Sequence, residues 1–272
     1  MKSLQTPATK PAFVHFNPEV QIRLLVKVMW NCISTVFATI VALSTFAVAA
    51  ENQSANSGDG QVDAAFEVLE VEATNKVRYH GVDSQSVTED KKQFVQLSGP
   101  THFSRAMAFE AQQPAFLSWY SIRKPAGDTQ TLKFSIAKPN QTIELQIEEA
   151  EYVLCPSKEL QDGRPAEVPE RLSYLKAFKI KDAPRVETKV QLSGAAGPKS
   201  RQVAKPTHVC IPMQQWHHDE HFVVTDEKTC YLIFSVEPAK ASMEMAAIDQ
   251  FGLHGLDVKK SSMVMLPVKL LE

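Results

Sequence analysis

The feature that most constrains this chain is self-similarity at a spacing of about 55 to 58 residues. A sequence that repeats at that interval folds as supersecondary units that bury their apolar faces against one another. Tyr120-Ser-Ile122, Phe178-Lys-Ile180 and Phe234-Ser-Val236 each set an aromatic and a β-branched residue two apart, at offsets of 58 and 56. Each segment leads on to a short apolar run ending near a proline: Tyr152-Val-Leu-Cys155-Pro156, His208-Val-Cys210-Ile-Pro212 and Met263-Val-Met265-Leu-Pro267. Cys155, Cys210 and Met265 stand 55 and 55 apart. Val190-Gln-Leu-Ser-Gly194 and Ile248-Asp-Gln-Phe-Gly252 mark a turn within the unit, each closing on a glycine that tolerates positive φ. Val95-Gln-Leu-Ser-Gly99 reads as a further copy of that turn, in a shortened unit ahead of three full ones.

The units read as strands. Val186-Glu-Thr-Lys-Val190 and Ile143-Glu-Leu-Gln-Ile147 alternate apolar with polar side chains, the period-two signal of a half-buried strand. No stretch sustains a 3.6-residue period. The expected fold is all-β: an internally repeated β-sandwich or barrel-like domain over residues 93–272, about three units of roughly 57 residues, preceded by a signal helix.

That helix is expected in residues 1–50. Lys2, Lys10, Arg23 and Lys27 face only Glu19, no charge appears from Val28 to Ala50, and Ala47-Val48-Ala49-Ala50 precedes Glu51. A basic start, an apolar run and small residues at its exit form a secretory signal cleaved after Ala49 or Ala50. A retained single-pass anchor is the alternative, since 23 uncharged residues are long enough to span a bilayer. Residues 51–61 are small and polar and read as a flexible leader. Residues 62–92 are ambiguous, with Phe66 to Val71 either strand or short helix, so 51–92 is taken as leader and weakly structured segment.

Loss of residues 1–50 removes four basic residues and one acidic residue and takes the formal charge from −2 to −5. A mildly acidic chain with no basic run lacks the electrostatic footprint of a nucleic-acid binder. Nucleic acid is therefore excluded as the expected partner.

Several pieces resemble a family. Secreted bacterial proteins with an uncharacterised domain of unknown function carry repeats that open with Cys-Tyr-Lys-(Val/Ile)-Lys, pass an Asn-Gln-Phe-Gly turn followed by Leu-Asp-Val, and close with Leu-Cys-x-Pro. Phe178-Lys-Ile-Lys181, Asp249-Gln-Phe-Gly252 with Leu256-Asp-Val-Lys259, and Val209-Cys210-Ile-Pro212 resemble them over about residues 93–272. Trp119, Ala177 and Ile233 stand where the family has its opening cysteine, and Cys230 lies three positions earlier than Ile233. The resemblance implies secretion and a repeat architecture, and it carries no established activity.

Among chemistry-bearing residues, Trp216-His217-His218-Asp219-Glu220-His221-Phe222 gathers three of the eight histidines beside two carboxylates. Imidazole and carboxylate are ligands for Zn²⁺, Cu²⁺ or Ni²⁺, so His217, His218 and His221, with Asp219 or Glu220, form the candidate metal set, holding Zn or Cu. The competing reading is a solvated loop joining two units, and it leaves the protein with no cofactor. His-Glu-x-x-His is missing. Cys210 and Cys230 flank that loop and form the candidate disulfide, with Cys155 unpaired. Cys155–Cys210, or three reduced buried thiols, are the alternatives.

No catalytic signature stands out, neither Gly-x-Ser-x-Gly nor a phosphate-cradling Gly-x-x-x-x-Gly-Lys-Ser/Thr loop. Glu148, Glu149 and Glu151 on a strand read as a solvated edge. Trp119, Tyr120, Trp216, Phe222, Tyr231 and Phe234 fall at unit junctions, where rings serve as core or as a sugar- or protein-binding surface. Asn52 and Asn140 begin glycosylation-type triplets, short enough to arise by chance. The expected function is thus an exported, non-catalytic module, secreted or periplasmic, that binds an extracellular protein or glycan or serves surface architecture. The alternative is a metal-binding protein or metal-dependent enzyme using the His217–His221 loop, and a membrane enters only if residues 28–50 are retained.

Overall fold

A computed structural model describes residues 65–75, 78–107, 115–124, 129–136, 141–161, 163–165, 172–183, 188–194 and 197–271. Residues 1–64 lie outside it, and with them the expected signal helix, its cleavage point and the start of the leader. Every regular element among the described residues is a strand: β1 (Ala65–Ala73), β2 (Arg78–Ser86), β3 (Gln93–Met107), β4 (Phe116–Ile122), β5 (Gln130–Ile136), β6 (Gln141–Gln161), β7 (Arg164–Pro165), β8 (Leu175–Lys181), β9 (Thr188–Gly194), β10 (Gly197–His217), β11 (Glu220–Phe222), β12 (Thr229–Asp249) and β13 (Gly252–Leu270). All their pairings are antiparallel, and the strands form one large sheet with the short β7 against the end of β6.

The sheet closes on itself. β1 pairs with β3, β3 with β4, β4 with β6, β6 with β8, β8 with β10, β10 with β12, β12 with β13, and β13 returns to β1. Eight strands therefore surround an interior, and closure leaves that ring without an edge. The interior holds Phe66, Val68, Leu117, Trp119, Leu154, Leu175, Ala177, Cys210, Tyr231, Ile233 and Met265, drawn from seven of the eight strands, with Ala106 of β3 packed beside them. Eight strands enclose a space that side chains just fill, and here they fill it.

Four hairpin arms lie outside the ring. The first joins β2 to the start of β3, the second β5 to the start of β6, the third β9 to the start of β10, and the fourth the end of β12 to the start of β13. Each arm is extended by the ring strand beside its base, as in Leu97↔Ile122 and Ile147↔Ile180. Each reaches far around the ring: β2 pairs with the end of β10, β12 with the end of β6, β5 with the end of β13, and β9 packs against β3. The second apolar layer lies between ring and arms, with Tyr120, Val153, Phe178, Val209 and Leu232 from the ring meeting Val82, Leu97, Phe134 and Val190 from the arms. The fourth arm has its own patch, Ala247, Leu256 and Val258 over Leu69, Phe103 and Phe116.

This double layer explains the sequence pattern. Ring strands are covered on both faces and read as apolar-rich runs without alternation, such as Phe116-Leu-Ser-Trp-Tyr-Ser-Ile122. Arm strands have one face in water and alternate, as in Phe94-Val95-Gln96-Leu97, where Val95 and Leu97 are buried and Phe94 and Gln96 exposed.

Three expectations are corrected. The segment 51–92 is not weakly structured beyond residue 64, because β1 closes the ring and β2 belongs to the first arm, so the β domain begins no later than Ala65 rather than at 93. Val95-Gln-Leu-Ser-Gly99 is not a turn. It forms the returning strand of the first arm and ends at an irregularity in the β3–β4 pairing, where Gly99 takes φ +132°. Cys210 and Cys230 are not bonded, and Cys155 is also free. Cys210 sits opposite Tyr231, so Cys230 is one residue out of step, and the two thiols face opposite sides of the sheet, Cys210 inward and Cys230 outward.

The three thiols are buried, and desolvation pushes all of them up from the ordinary thiol range, Cys155 further raised by Asp249. The chain starting at residue 50 or 51 is expected to show no thiol reactive toward a disulfide reagent when native and three when denatured without reductant, with no mass deficit of about 2 Da. Fewer than three would place a bridge that this register forbids.

Candidate functional site

The ring interior is stacked in layers set by register. The lowest layer includes Phe66, Leu117, Leu175 and Tyr231, and the next Val68, Trp119, Ala177 and Ile233 facing Ser104, Leu154, Cys210 and Met265. Trp119 Nε1 donates to Ser104 Oγ at 2.6 Å, and Ser104 Oγ in turn donates to Met265 Sδ at 3.5 Å. One step further the chemistry changes. His102 pairs with Glu70, Tyr152 with Ser121, His208 with Lys179, and Met263 with Ser235. These eight positions form a polar end to an apolar barrel.

The rings of this layer touch. His102 and His208 both stand edge-on to Tyr152, with centroids 5.7 and 5.5 Å away, and Trp119 lies 5.4 Å from His102 and 5.7 Å from Tyr152 beneath them. Two local devices hold the imidazoles. Thr101 Oγ1 donates to the Trp119 carbonyl and lies 3.1 Å from His102 Nδ1, and Thr207 Oγ1 donates to the Ile233 carbonyl and lies 3.0 Å from His208 Nδ1. His208 Nε2 lies 2.9 Å from Glu151 Oε2, and Lys179 Nζ stands 3.8 Å from the other carboxylate oxygen. Lys260 pairs with Glu70 at 3.1 Å. The layer thus presents half-buried rings beneath more exposed charges of both signs, a set suited to stacking and hydrogen bonding.

Burial lowers the pKa of His102 to about 4, Glu70 opposing the shift and His208 and Lys260 adding to it. A folded-state value below the unfolded one means that the unfolded chain takes up the proton first. The stability contributed by neutral His102 is therefore complete above about pH 6.5 and is lost as pH falls toward 4. Replacing His102 with Gln is expected to remove about 2 to 3 kcal/mol of acid destabilisation over that window. Urea midpoints of both proteins at neutral pH and near pH 4.5 test this, and parallel pH dependences would contradict it.

The His217–His221 segment is a tight hairpin between β10 and β11, turning at His218, whose φ is +53°. Trp216 pairs with His221 and His217 with Glu220, so successive residues alternate faces and His217 and His221 point opposite ways. His221 stacks on Trp216 at 4.5 Å, with its Nε2 3.1 Å from Gln214 Oε1. His217 lies beside His218, 4.1 Å between centroids, and edge-on to Phe251. The fold brings His217 and His218 together and keeps His221 apart. Among the described residues no group of three or more His, Cys, Asp or Glu side chains stands close enough to share a metal ion.

A second polar cluster explains the Asp249-Gln-Phe-Gly252 motif. Asp249 Oδ1 accepts from the Phe251 backbone N–H at 2.8 Å, and Gly252 takes φ +112°, a region that favours glycine. Tyr120 O–H donates to Asp249 Oδ2 at 2.6 Å and lies 2.9 Å from His254 Nε2, while Phe251 stacks on His80 at 4.2 Å. Gln250 Nε2 donates to Cys155 Sγ at 3.6 Å. Burial and then Asp249 push the Tyr120 hydroxyl far above the ordinary phenol range. The Asp249 side chain has no solvent exposure and that of His254 keeps 12%, and this Tyr-Asp-His group ties the fourth arm to the ring.

The polar end is not legible in the sequence residue by residue, because His102, Tyr152 and His208 stand 50 and 56 positions apart. A signal was present: Tyr152, His208 and Met263 each stand four residues before the aligned prolines Pro156, Pro212 and Pro267. A family described as Repeat of unknown function (DUF7450) matches residues 116–267. No curated protein and no solved structure matches the chain.

Proposed function

The chain belongs to the family of the repeat of unknown function (DUF7450), and on that footing we propose that it is an exported, non-catalytic binding module. Its ring and arms derive from one ancestral unit of strand, hairpin and closing strand, present four times, and its recognition surface is the polar end of the barrel. One observation carries the reading. At equivalent positions on the four closing strands, where the layers below are apolar, stand His102, Tyr152, His208 and Met263, rimmed by Glu70, Glu151, Lys179 and Lys260. Core packing alone gives no reason to place two imidazoles and a phenol there, and ligands favour the mouths of β-barrels.

The non-catalytic part rests on access. The three described thiols are buried with raised pKa values, and Tyr120 and the Asp249 side chain are closed to solvent. The partner is an extracellular protein or a glycan, the residues act without a cofactor, and residues 1–50 are the export signal.

Three measurements test this. The intact mass of protein recovered from producing cells is expected to start at Ala50 or Glu51, and a membrane-bound chain retaining residues 1–50 would replace export by anchoring. Isotope-labelled protein titrated with cell-envelope glycan and exported-protein fractions is expected to show shifts centred on His102, Tyr152 and His208, and shifts elsewhere would move the site. Alanine at His217, His218 and His221 together is expected to leave metal content unchanged, and loss of a bound metal would favour the metal-binding reading.

A further inference from the structure

Two aromatic residues are exposed among the described residues, Tyr79 at 62% and Phe94 at 67%, and both lie on the outward face of the first arm. They come from its two strands, Tyr79 from β2 and Phe94 from β3, where Asp83 pairs with Phe94 and Gly81 with Gln96. Exposing two large rings on one small face forgoes the burial that each would otherwise gain. Elsewhere the arms keep their rings inward, as Phe134 does in the second arm.

The face is built to hold the rings. A methyl group at Gly81 would stand 2.8 Å from Cζ of Phe94 and 2.9 Å from Cε2, so the Phe94 ring rests over bare backbone that a side chain would occupy. Glycine inside a strand commonly marks such a close approach. The Arg123 guanidinium sits 4.4 Å over the Tyr79 ring, and the Arg123 backbone N–H donates to the Gln96 carbonyl, tying β4's end to this face. Between and around the rings stand Asp83, Gln96 and Arg123, donors and acceptors with both charges.

We propose that this face of the first arm is a carbohydrate-binding platform, Phe94 and Tyr79 stacking on pyranose rings while Asp83, Gln96 and Arg123 bond their hydroxyls. A sugar offers a weakly polar C–H face and a hydroxyl edge, which matches exposed rings set among uncharged and oppositely charged hydrogen-bonding groups. A protein partner fits less well, since the core of a protein interface is a contiguous apolar area depleted of charge, and here two rings stand among Lys92, Asp83 and Arg123. Nucleic acid is disfavoured by the acidic balance of the chain. The platform shares no residue with the polar end of the barrel, so either site can fail without the other.

The test is affinity electrophoresis of the protein starting at Glu51 through gels holding a soluble β-glucan, a soluble chitin derivative or dextran, with co-sedimentation on purified peptidoglycan. Retardation or co-sedimentation by at least one is expected. Phe94→Ala and Tyr79→Ala should each weaken it by about tenfold, Phe94→Trp should retain it, and Gly81→Val should weaken it by displacing Phe94. Both alanine sites are exposed, and unchanged urea midpoints will establish that the variants are folded. Binding to none of the four polysaccharides overturns the proposal. So does binding that Phe94→Ala and Tyr79→Ala leave intact, and binding lost only on His102 or His208 substitution would assign the glycan to the barrel end instead.

Discussion

Lys176→Met is expected to lower the unfolding free energy by about 3 to 5 kcal/mol, the cost of leaving one member of a buried ion pair without its partner. Lys176 is fully buried on the outer face of β8, and its Nζ donates to both carboxylate oxygens of Glu89, at 3.0 and 2.7 Å. Glu89 lies in the turn of the first arm and also accepts from the Ser86 backbone N–H at 2.7 Å. Burial pulls the Lys176 pKa down and Glu89 opposes the shift, so the pair is held by mutual compensation in a site that water does not reach. Combining Lys176→Met with Glu89→Gln should recover most of the loss, since the amide still accepts from Ser86 and no charge remains to be buried. Urea unfolding of the single and double variants checks this, and additive losses would show that the pair is not coupled.

This pair also bears on how four similar arms find their places. The positions equivalent to Lys176 on the other outward strand faces are Glu67, Ser118 and Leu232, two residues before Leu69, Tyr120 and Phe234. Glu67 accepts from Ser261 Oγ at 2.8 Å and from Arg201 Nη2 of the third arm at 3.3 Å. A carboxylate in one sector and an ammonium in another make an exchange of arms bury like charges or orphaned ones, which disfavours the wrong arrangement.

Trp119→Ala is the second large effect, expected to destabilise by about 3 to 5 kcal/mol. Trp119 is the largest fully buried side chain of the barrel interior, and it fills a layer whose equivalent positions are only Val68, Ala177 and Ile233. Ser104, small and facing it from β3, takes the indole hydrogen bond and in turn lies 3.5 Å from Met265 Sδ. A closed ring of eight strands relaxes little around a void, so the cavity persists and adds to the lost transfer energy. Trp119→Phe should cost less, keeping most of the volume. A loss below about 1 kcal/mol for the alanine variant would mean that the interior collapses more readily than a closed ring permits.

The strand content was legible because arm strands with one face in water alternate, as Ile143-Glu-Leu-Gln-Ile147 does, whereas ring strands covered on both faces, such as Phe116-Leu-Ser-Trp-Tyr-Ser-Ile122, show no such period. The closing motif was legible too, but one residue out of step. Aligning Cys155 with Cys210 and Met265 matched chemistry by spacing, whereas the registers Tyr120↔Val153, Phe178↔Val209 and Phe234↔Val264 align the prolines instead. Cys155 therefore faces the arms and Cys210 the interior, since a slip of one residue turns every side chain to the other face. The first unit reads in the sequence as a shortened one for a related reason. Leu69-Glu-Val71 lacks the aromatic of its counterparts, yet Leu69↔Phe103 gives it the same place in the ring.

What the sequence determined by itself is local: which runs are strands and where a turn needs glycine, as at Gly252. Tertiary structure alone decided three other things. It brought β1 to β13 and so closed the ring, across nearly two hundred residues of chain. It set the face each strand turns inward, and with that the fate of the thiols. It also gathered His102, Tyr152, His208 and Met263 into one layer. The physical reason is the same each time: strand pairing contacts are non-local, and a period of two makes side-chain direction depend on register, which partners across the sheet impose.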